Sequence, residues 1–269
     1  MSILSDYHVH TRFSGDSGEA PENTVKRAVS MGFSRICFTE HQDFDYIWGD
    51  LNFDLDYKAY FEFMQNLKEK YRGVIDIQTG LEVGVEPNLK NRLYDFTAAA
   101  PYDFIIASTH IVNRQDPYFP EYFQGKTDKQ AFEEYFNATL ENLDIFDDFD
   151  VYGHLDYVVR YSKNKDRFYS YGLFSEIIDQ ILKKLLAMNK GIEINSGAYR
   201  SGMKNPNPLP EIVKRYRKLG GEIITVGSDA HKAEDLGRGF DKIAEILKQS
   251  GFKYYTVFKD RRPEFIKID

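Results

Sequence analysis

Glu222-Ile223-Ile224-Thr225-Val226-Gly227-Ser228-Asp229-Ala230-His231 is the stretch on which the fold turns. Residues two apart on a strand share a face. Ile224 and Val226 therefore form an apolar face suited to a covering of helices, while Thr225 and Gly227 form a small or polar one. That second face runs out into Asp229 and His231, both able to ligate a metal. A strand of this kind fits a parallel barrel, whose inward side chains are enclosed and whose C-terminal strand ends gather the functional groups.

Working outward, the same pattern recurs. Asp6 lies behind His8, Thr39 behind His41, Gln78 and Gly80 behind Glu82, and Ser108 behind His110. On the run 191–195, Glu193 lies behind Asn195. Their neighbours Ile36, Phe38, Ile77, Leu81, Ile192 and Ile194 are apolar. Strand-like runs at 3–9, 34–39, 74–83, 104–109, 151–154, 191–195 and 222–228 alternate with amphipathic helical runs at 21–31, 57–71, 87–99, 128–146, 173–188, 210–219 and 240–249. A last strand-like run covers 254–258. Seven βα units without a linker or a composition shift predict one α/β domain over 1–269. An open doubly wound sheet would spread the strand ends along a line. A distorted (β/α)7 TIM-like barrel brings them together.

The chain has six histidines: His8, His10, His41, His110, His154 and His231. All fall at or just beyond the C-terminal end of a strand-like run, and Asp16, Glu82 and Asp229 share that placement. A lone histidine on a strand is ordinarily a satisfied core or surface residue. Six on one rim form a ligand set, and with the carboxylates they suit two or three divalent transition-metal ions of the Zn, Mn or Fe type. Histidines bound to metal need hydrogen-bond acceptors behind them, and Asp6 and Glu193 are placed for that role.

The remaining composition narrows the function. Of 269 residues, 42% are hydrophobic and 29% charged, the balance of a folded globular chain. The net charge of −7 disfavours a nucleic-acid grip, which calls for a basic face. No run is apolar for the length needed to span a bilayer, and no signal peptide is evident. The single cysteine, Cys37, sits in an apolar run and reads as a buried small hydrophobe in a reducing compartment, so cytoplasm is expected. No heptad seam marks an oligomer interface.

The ordered motifs carry a family resemblance. Asp6-Tyr7-His8-Val9-His10-Thr11, Asp16 and Thr39-Glu40-His41 are similar to the opening of the polymerase and histidinol phosphatase superfamily. Gly80-Leu81-Glu82, Ser108-Thr109-His110, Gly153-His154 and Gly227-Ser228-Asp229-Ala230-His231 resemble its later motifs in order. The resemblance implies three metal ions. His8, His10, Glu82 and Asp229 would hold one; Glu82 would bridge to a second with His110 and His154; Asp16, His41 and His231 would hold the third. The turn Ser14-Gly15-Asp16-Ser17 departs from the commoner Ser-Asp-Gly order, which leaves Ser17 and Glu19 as competitors for the place of Asp16.

The stand-alone size and the Thr39-Glu40-His41 wording look most like the histidinol-phosphate phosphatase branch. That implies hydrolysis of a small phosphate monoester, L-histidinol phosphate, by a metal-bridging hydroxide held by His8, His10, Glu82, Asp229, His110 and His154. Other small esters, an oligonucleotide substrate, or a non-catalytic metal-binding module are the rival readings. Phosphate recognition wants arginine, and Arg160 and Arg200 lie just beyond strand ends; Lys204 and Arg238 are the alternatives. The loops 42–56 and 112–126 supply acidic and aromatic groups for the alcohol. Glu40 or Asp43 is expected to sense its ammonium.

Overall fold

The computed structural model describes residues 3–268, so the expected domain limits at 1 and 269 lie outside the described residues. Seven strands, β1 (Ser5–Asp6), β2 (Arg35–Gln42), β3 (Asp76–Gly84), β4 (Phe104–Ser108), β5 (Val151–Tyr152), β6 (Gly191–Asn195) and β7 (Ile224–Gly227), pair in chain order, every pair parallel. Helices follow in the crossovers: α1 (Pro21–Ser30), α2 (Tyr57–Lys70), α3 (Lys90–Ala98), α4 (Asp128–Ile145), α5 (Ser175–Ala187), α6 (Pro210–Lys218) and α7 (Phe240–Gln249). This is the distorted (β/α)7 barrel.

Local chemistry explains the helices. Thr127 and Gln130 form a reciprocal capping box at the start of α4. Pro21 occupies the first turn of α1, where its missing N–H has no intrahelical partner to lose. In α7 the buried set is Phe240, Ile243, Ala244 and Leu247, one stripe at helical spacing turned to the barrel.

The barrel closes irregularly. The run expected as a strand over 3–9 is in ladder register with β2 at Ser5 and Asp6, with a further backbone bond from Thr39 N–H to Val9 O (2.9 Å). Beyond Asp6 the chain bonds across to the end of β7, with Tyr7 N–H donating to Val226 O (3.0 Å), Asp229 N–H to His8 O (2.8 Å) and His10 N–H to Ala230 O (2.9 Å). Asp229 has φ of 56°, a left-handed conformation that Asp tolerates better than most residues. It interrupts the ladder at the point where the strand hands over to the site. Elsewhere β2 runs three residues past its expected end at Thr39, because β3 pairs with it up to Gln42 and Val83.

The C-terminal run is a correction. One closing strand was expected; the chain forms an antiparallel hairpin, β8 (Tyr254–Lys259) and β9 (Arg262–Lys267). The hairpin lies under the N-terminal end of the barrel. Tyr7 donates to Phe258 O (2.7 Å), Ile224 N–H donates to Thr256 Oγ1 (3.1 Å), and Arg261 bonds Asp150 (2.6 Å) near the start of β5. Tyr255, Val257 and Phe258 are buried in this plug, about 1.5–3 kcal/mol for each large apolar side chain. All six residues of β9 are exposed. It carries no buried face to print an apolar period, and Pro263 further masks it. Cys37 is buried, as its apolar run implied. Among the described residues, no helix is long and apolar enough to cross a membrane.

Candidate metal centre and substrate cleft

Parallel pairing sets the centre of the site. In the β2–β3 register His41 stands directly beside Glu82. Glu82 then acts as a hub whose two oxygens face different histidines. Oε2 lies 3.1 Å from His8 Nε2, 3.4 Å from His10 Nε2 and 3.2 Å from His41 Nδ1. Oε1 lies 2.9 Å from His154 Nε2 and 3.2 Å from His110 Nε2, and also accepts from Ser108 Oγ at 2.7 Å.

Asp229 closes the first group, with Oδ1 3.6 Å from His10 Nε2 and 3.9 Å from His8 Nε2. Asp16 faces the outer pair, 3.0 Å from His231 Nε2 and 3.8 Å from His41 Nε2. The His10 ring stacks between His41 (4.1 Å between centroids) and His231 (4.4 Å). All nine donors named from the sequence are thus brought together at one end of the barrel. Close triples among them include His8–His10–Glu82, Glu82–His110–His154 and His10–His41–His231.

The rings are aimed by oxygen atoms behind them. Glu193 Oε1 is 2.6 Å from His8 Nδ1, and Asp43 Oδ1 is 2.7 Å from His110 Nδ1. Ser14 Oγ, 3.1 Å from His10 Nδ1, itself donates to Glu40 and so accepts from the ring. The Asp229 carbonyl takes His231 Nδ1–H at 3.0 Å. In each case Nδ1 carries the proton, leaving an Nε2 lone pair turned to the centre. Gly227 makes this possible, since a Cβ there would stand 2.3 Å from both Glu193 Oε1 and His8 Cβ.

Buried lone pairs that converge in this way call for a positive charge between them, a proton or a metal ion. His8 Nε2, His10 Nε2, His41 Nδ1 and Glu82 Oε2 are buried and have no hydrogen-bond partner, although they converge on one another. Leaving such groups unsatisfied is costly. The donor set, imidazole with carboxylate, fits divalent transition metals. The free cluster shows the same frustration in its protonation. Burial opposes charging His8, but Glu193, Glu82 and Asp229 outweigh it and hold its pKa well above the ordinary range. Burial together with the neighbouring His41 and His231 drives His10 well below it. Glu82 and Asp229, although buried, are held well below the usual carboxylate range by the histidines, with Arg160 adding to the effect on Asp229.

The arginines line the same cleft, a cavity of about 330 Å³. Arg160 is buried, donating to Asp229 Oδ2 (2.8 Å), Asn195 Oδ1 (2.8 Å) and Asn207 Oδ1. Arg200 donates to the backbone carbonyls of Ser228 and Asp229. Both are anchored cations rather than free surface groups. Lys204 does not line the cleft, and Arg238 pairs with Asp235 at 2.9 Å.

Two expectations are corrected. Asp6 does not stand behind a ring: it accepts from the backbone N–H groups of Ser228 (2.9 Å), Gly237 (3.1 Å) and His8 (3.3 Å), tying the end of β1 to that of β7. Those three donors already fill the space its parity offered. Glu40 is fully buried and accepts from Thr11 N–H (2.9 Å), Thr11 Oγ1 (2.6 Å) and Ser14 Oγ (2.6 Å), so it braces the His10 turn and does not line the cleft. Asp43, Asn195 and Asn207 were overlooked as supports. Asp43 had a usable signal, sitting two residues after His41 and hence on the same face. The tight fit of its carboxylate against Gly84, where a Cβ would lie 1.9 Å from Oδ1, had none.

Fold and site together define a barrel of metal-ligating type, with imidazole, carboxylate and guanidinium groups on its C-terminal rim. Comparison with known proteins narrows the class. The PHP domain family model matches residues 6–197. A histidinol-phosphatase of Lactococcus lactis is 34% identical over 254 residues, covering 94% of this chain and 93% of the relative. A probable histidinol-phosphatase of Clostridium acetobutylicum is 29% identical over 266 residues, covering 97% and 98%. The solved structure of the Lactococcus lactis histidinol phosphate phosphatase, complexed with zinc, L-histidinol and phosphate, superposes with a TM-score of 0.88 at 31% identity, covering 97% of this chain and 98% of that one. The chain belongs to the PHP domain family.

Proposed function

We propose that the chain is a metal-dependent phosphoric monoester hydrolase that converts L-histidinol phosphate to L-histidinol and phosphate. The observation that carries this reading is the meeting of the Glu82-centred donor cluster with two anchored arginines in one cleft. Similarity to the Lactococcus lactis enzyme over nearly the whole chain supports the substrate. The acidic balance of the chain favours a small ester over nucleic acid.

His8, His10, Glu82 and Asp229 would hold one cation; Glu82, His110 and His154 a second; Asp16, His41 and His231 a third. Zn, Mn and Fe all suit these ligands. Cations seated there would neutralise ester oxygens and make a water sufficiently acidic to serve as the nucleophile. The chain's own groups do the rest. Glu193, Asp43 and Ser14 keep the Nδ1 protons of three histidines away from the centre. Arg160 and Arg200, always charged, offer their remaining N–H groups to the phosphate and need no reorientation to do so. Aromatic side chains from both rim loops, Tyr46, Trp48 and Phe119 among them, wall the cleft where the alcohol leaves.

A phosphate-release panel with metal-reconstituted protein tests the reading. L-histidinol phosphate should be turned over with a kcat/KM well above that of sugar phosphates or a short oligonucleotide. Preference for the oligonucleotide or a sugar phosphate would replace this substrate, and release from none of them would remove the activity.

A further inference from the structure

Five carboxylates line the cleft: Asp16, Asp43, Glu82, Asp116 and Asp229. Four of them face a cationic or metal-ligating partner. Asp16 meets His231 (3.0 Å), Asp43 meets His110 (2.7 Å), Glu82 meets His154 (2.9 Å) and Asp229 meets Arg160 (2.8 Å). Asp116 is the exception. It is 5% exposed, and its contacts are with neutral donors: Tyr46 Oη–H to Oδ2 and Tyr118 N–H to Oδ1, both at 2.7 Å. Among the described residues no Lys, Arg or His nitrogen pairs with it. Burial, only partly offset by those two bonds and by the charge of His110 nearby, pushes its pKa upward.

Its position is not that of a structural strut in a core. The Tyr46 bond ties Asp116, on the second rim loop, to the first, while the Tyr118 bond fixes it within its own loop; Asp116 and Tyr46 both line the cleft. Tyr46 packs against Phe53 (4.8 Å), which packs against His41 (5.2 Å). On the other side Tyr118 packs against Tyr161 (5.3 Å), Tyr161 against Tyr157 (4.9 Å), and Tyr157 against His154 (4.8 Å). The carboxylate is therefore set between two aromatic shelves that both lead down to the metal donors. Each oxygen keeps a lone pair beyond the one in use.

We propose that Asp116 is the specificity-determining residue that receives the ammonium group of the leaving amino alcohol. The inference rests on the activity proposed above and names the group that reads its substrate. An amino-alcohol phosphate carries its positive charge one carbon from the ester-bearing carbon, so its counter-ion must lie on the wall beside the donor cluster. The imidazole of the substrate is largely neutral at pH 7 and suits the aromatic surfaces. A buried carboxylate already fixed by two hydrogen bonds binds an ammonium without first having to be ordered.

The test compares L-histidinol phosphate with 3-(imidazol-4-yl)propyl phosphate, which lacks only the amine and the stereocentre it creates. The readout is the ratio of their kcat/KM values in wild type, Asp116→Asn and Tyr46→Phe. Wild type should favour the amine, and Asp116→Asn should lower the ratio by about 10–100-fold, the usual worth of a hydrogen bond to a charged group. Tyr46→Phe removes one hydrogen bond from the same carboxylate but keeps its charge, so its ratio should fall much less than that of Asp116→Asn. A wild-type ratio near one, an unchanged ratio in Asp116→Asn, or an equal fall in both variants would overturn the assignment. Wild type that releases phosphate from neither ester would instead overturn the proposed activity, and this inference with it.

Discussion

Glu193 Oε1 lies 2.6 Å from His8 Nδ1, though 185 residues separate them in the chain. The same carboxylate accepts the backbone N–H of His154 at 2.9 Å and the Asn195 amide at 3.1 Å through Oε2. One side chain thus orients His8, just beyond β1, and the turn after β5, and Asn195 passes the constraint on to Arg160.

Glu193→Gln removes the negative charge from this junction while keeping its shape. Loss of such an outer partner typically costs about 10–100-fold in metal affinity. A chelator-competition titration should show that loss. An affinity equal to wild type would mean that Glu193 does not tune the ligand.

Arg160 and Arg200 predict different kinds of damage. Arg160→Ala leaves Asp229 buried without its guanidinium, a loss of about 3–5 kcal/mol in stability by analogy with broken buried ion pairs. Arg200 is half-buried and donates to backbone carbonyls, so Arg200→Ala should melt closer to wild type while raising KM for the phosphate ester by about ten-fold or more. Thermal melts and steady-state kinetics on both variants check this. An Arg200→Ala enzyme with unchanged KM would remove that residue from phosphate binding.

The metal-free cluster should hold protons that metals must displace. Burial works against charging His41, yet Glu82, Asp16 and Asp43 raise its pKa from 6.5 to about 9, and His8 and His110 are also raised. A ring titrating where His41 does carries a proton at pH 7 without metal, so binding should release about one proton or more. Calorimetry in buffers of different ionisation heat measures it, and release of none contradicts the account. The stability sign follows from the same shift. The contribution of a raised His41 is fully present below pH 6.5 and is lost as pH rises through about 9. Glu82 and Asp229, lowered by their histidines, contribute above the ordinary carboxylate range and lose that contribution as the solution becomes acidic.

Much of the site was legible because strand parity is a hard constraint. Once 222–228 reads as a strand, its inward face, its outward face and its tip are all assigned. The same reasoning put Glu193 behind the rim, where it meets His8. Parity placed Asp6 equally well, but it says which way a side chain points and not what it finds there. Asp6 found three backbone N–H groups, products of the irregular β1–β7 closure that no local pattern encodes. Asp116 was hidden for a related reason. Its importance comes from the partners it lacks, and the absence of a partner is visible only after every other carboxylate has been paired in space. The hairpin strand β9 was missed because a fully exposed strand leaves no apolar period to read.

The central claim is that the nine donors, Glu82 at their centre, hold metal ions needed for hydrolysis. Anomalous diffraction from crystals of the metal-loaded protein, recorded at the absorption edges of Zn, Mn and Fe, tests it most directly. Two or three peaks should appear on the C-terminal rim, one of them within about 2.0–2.2 Å of nitrogen and oxygen donors from His8, His10 and Glu82. A crystal of hydrolytically active protein with no peak at that rim would contradict the account.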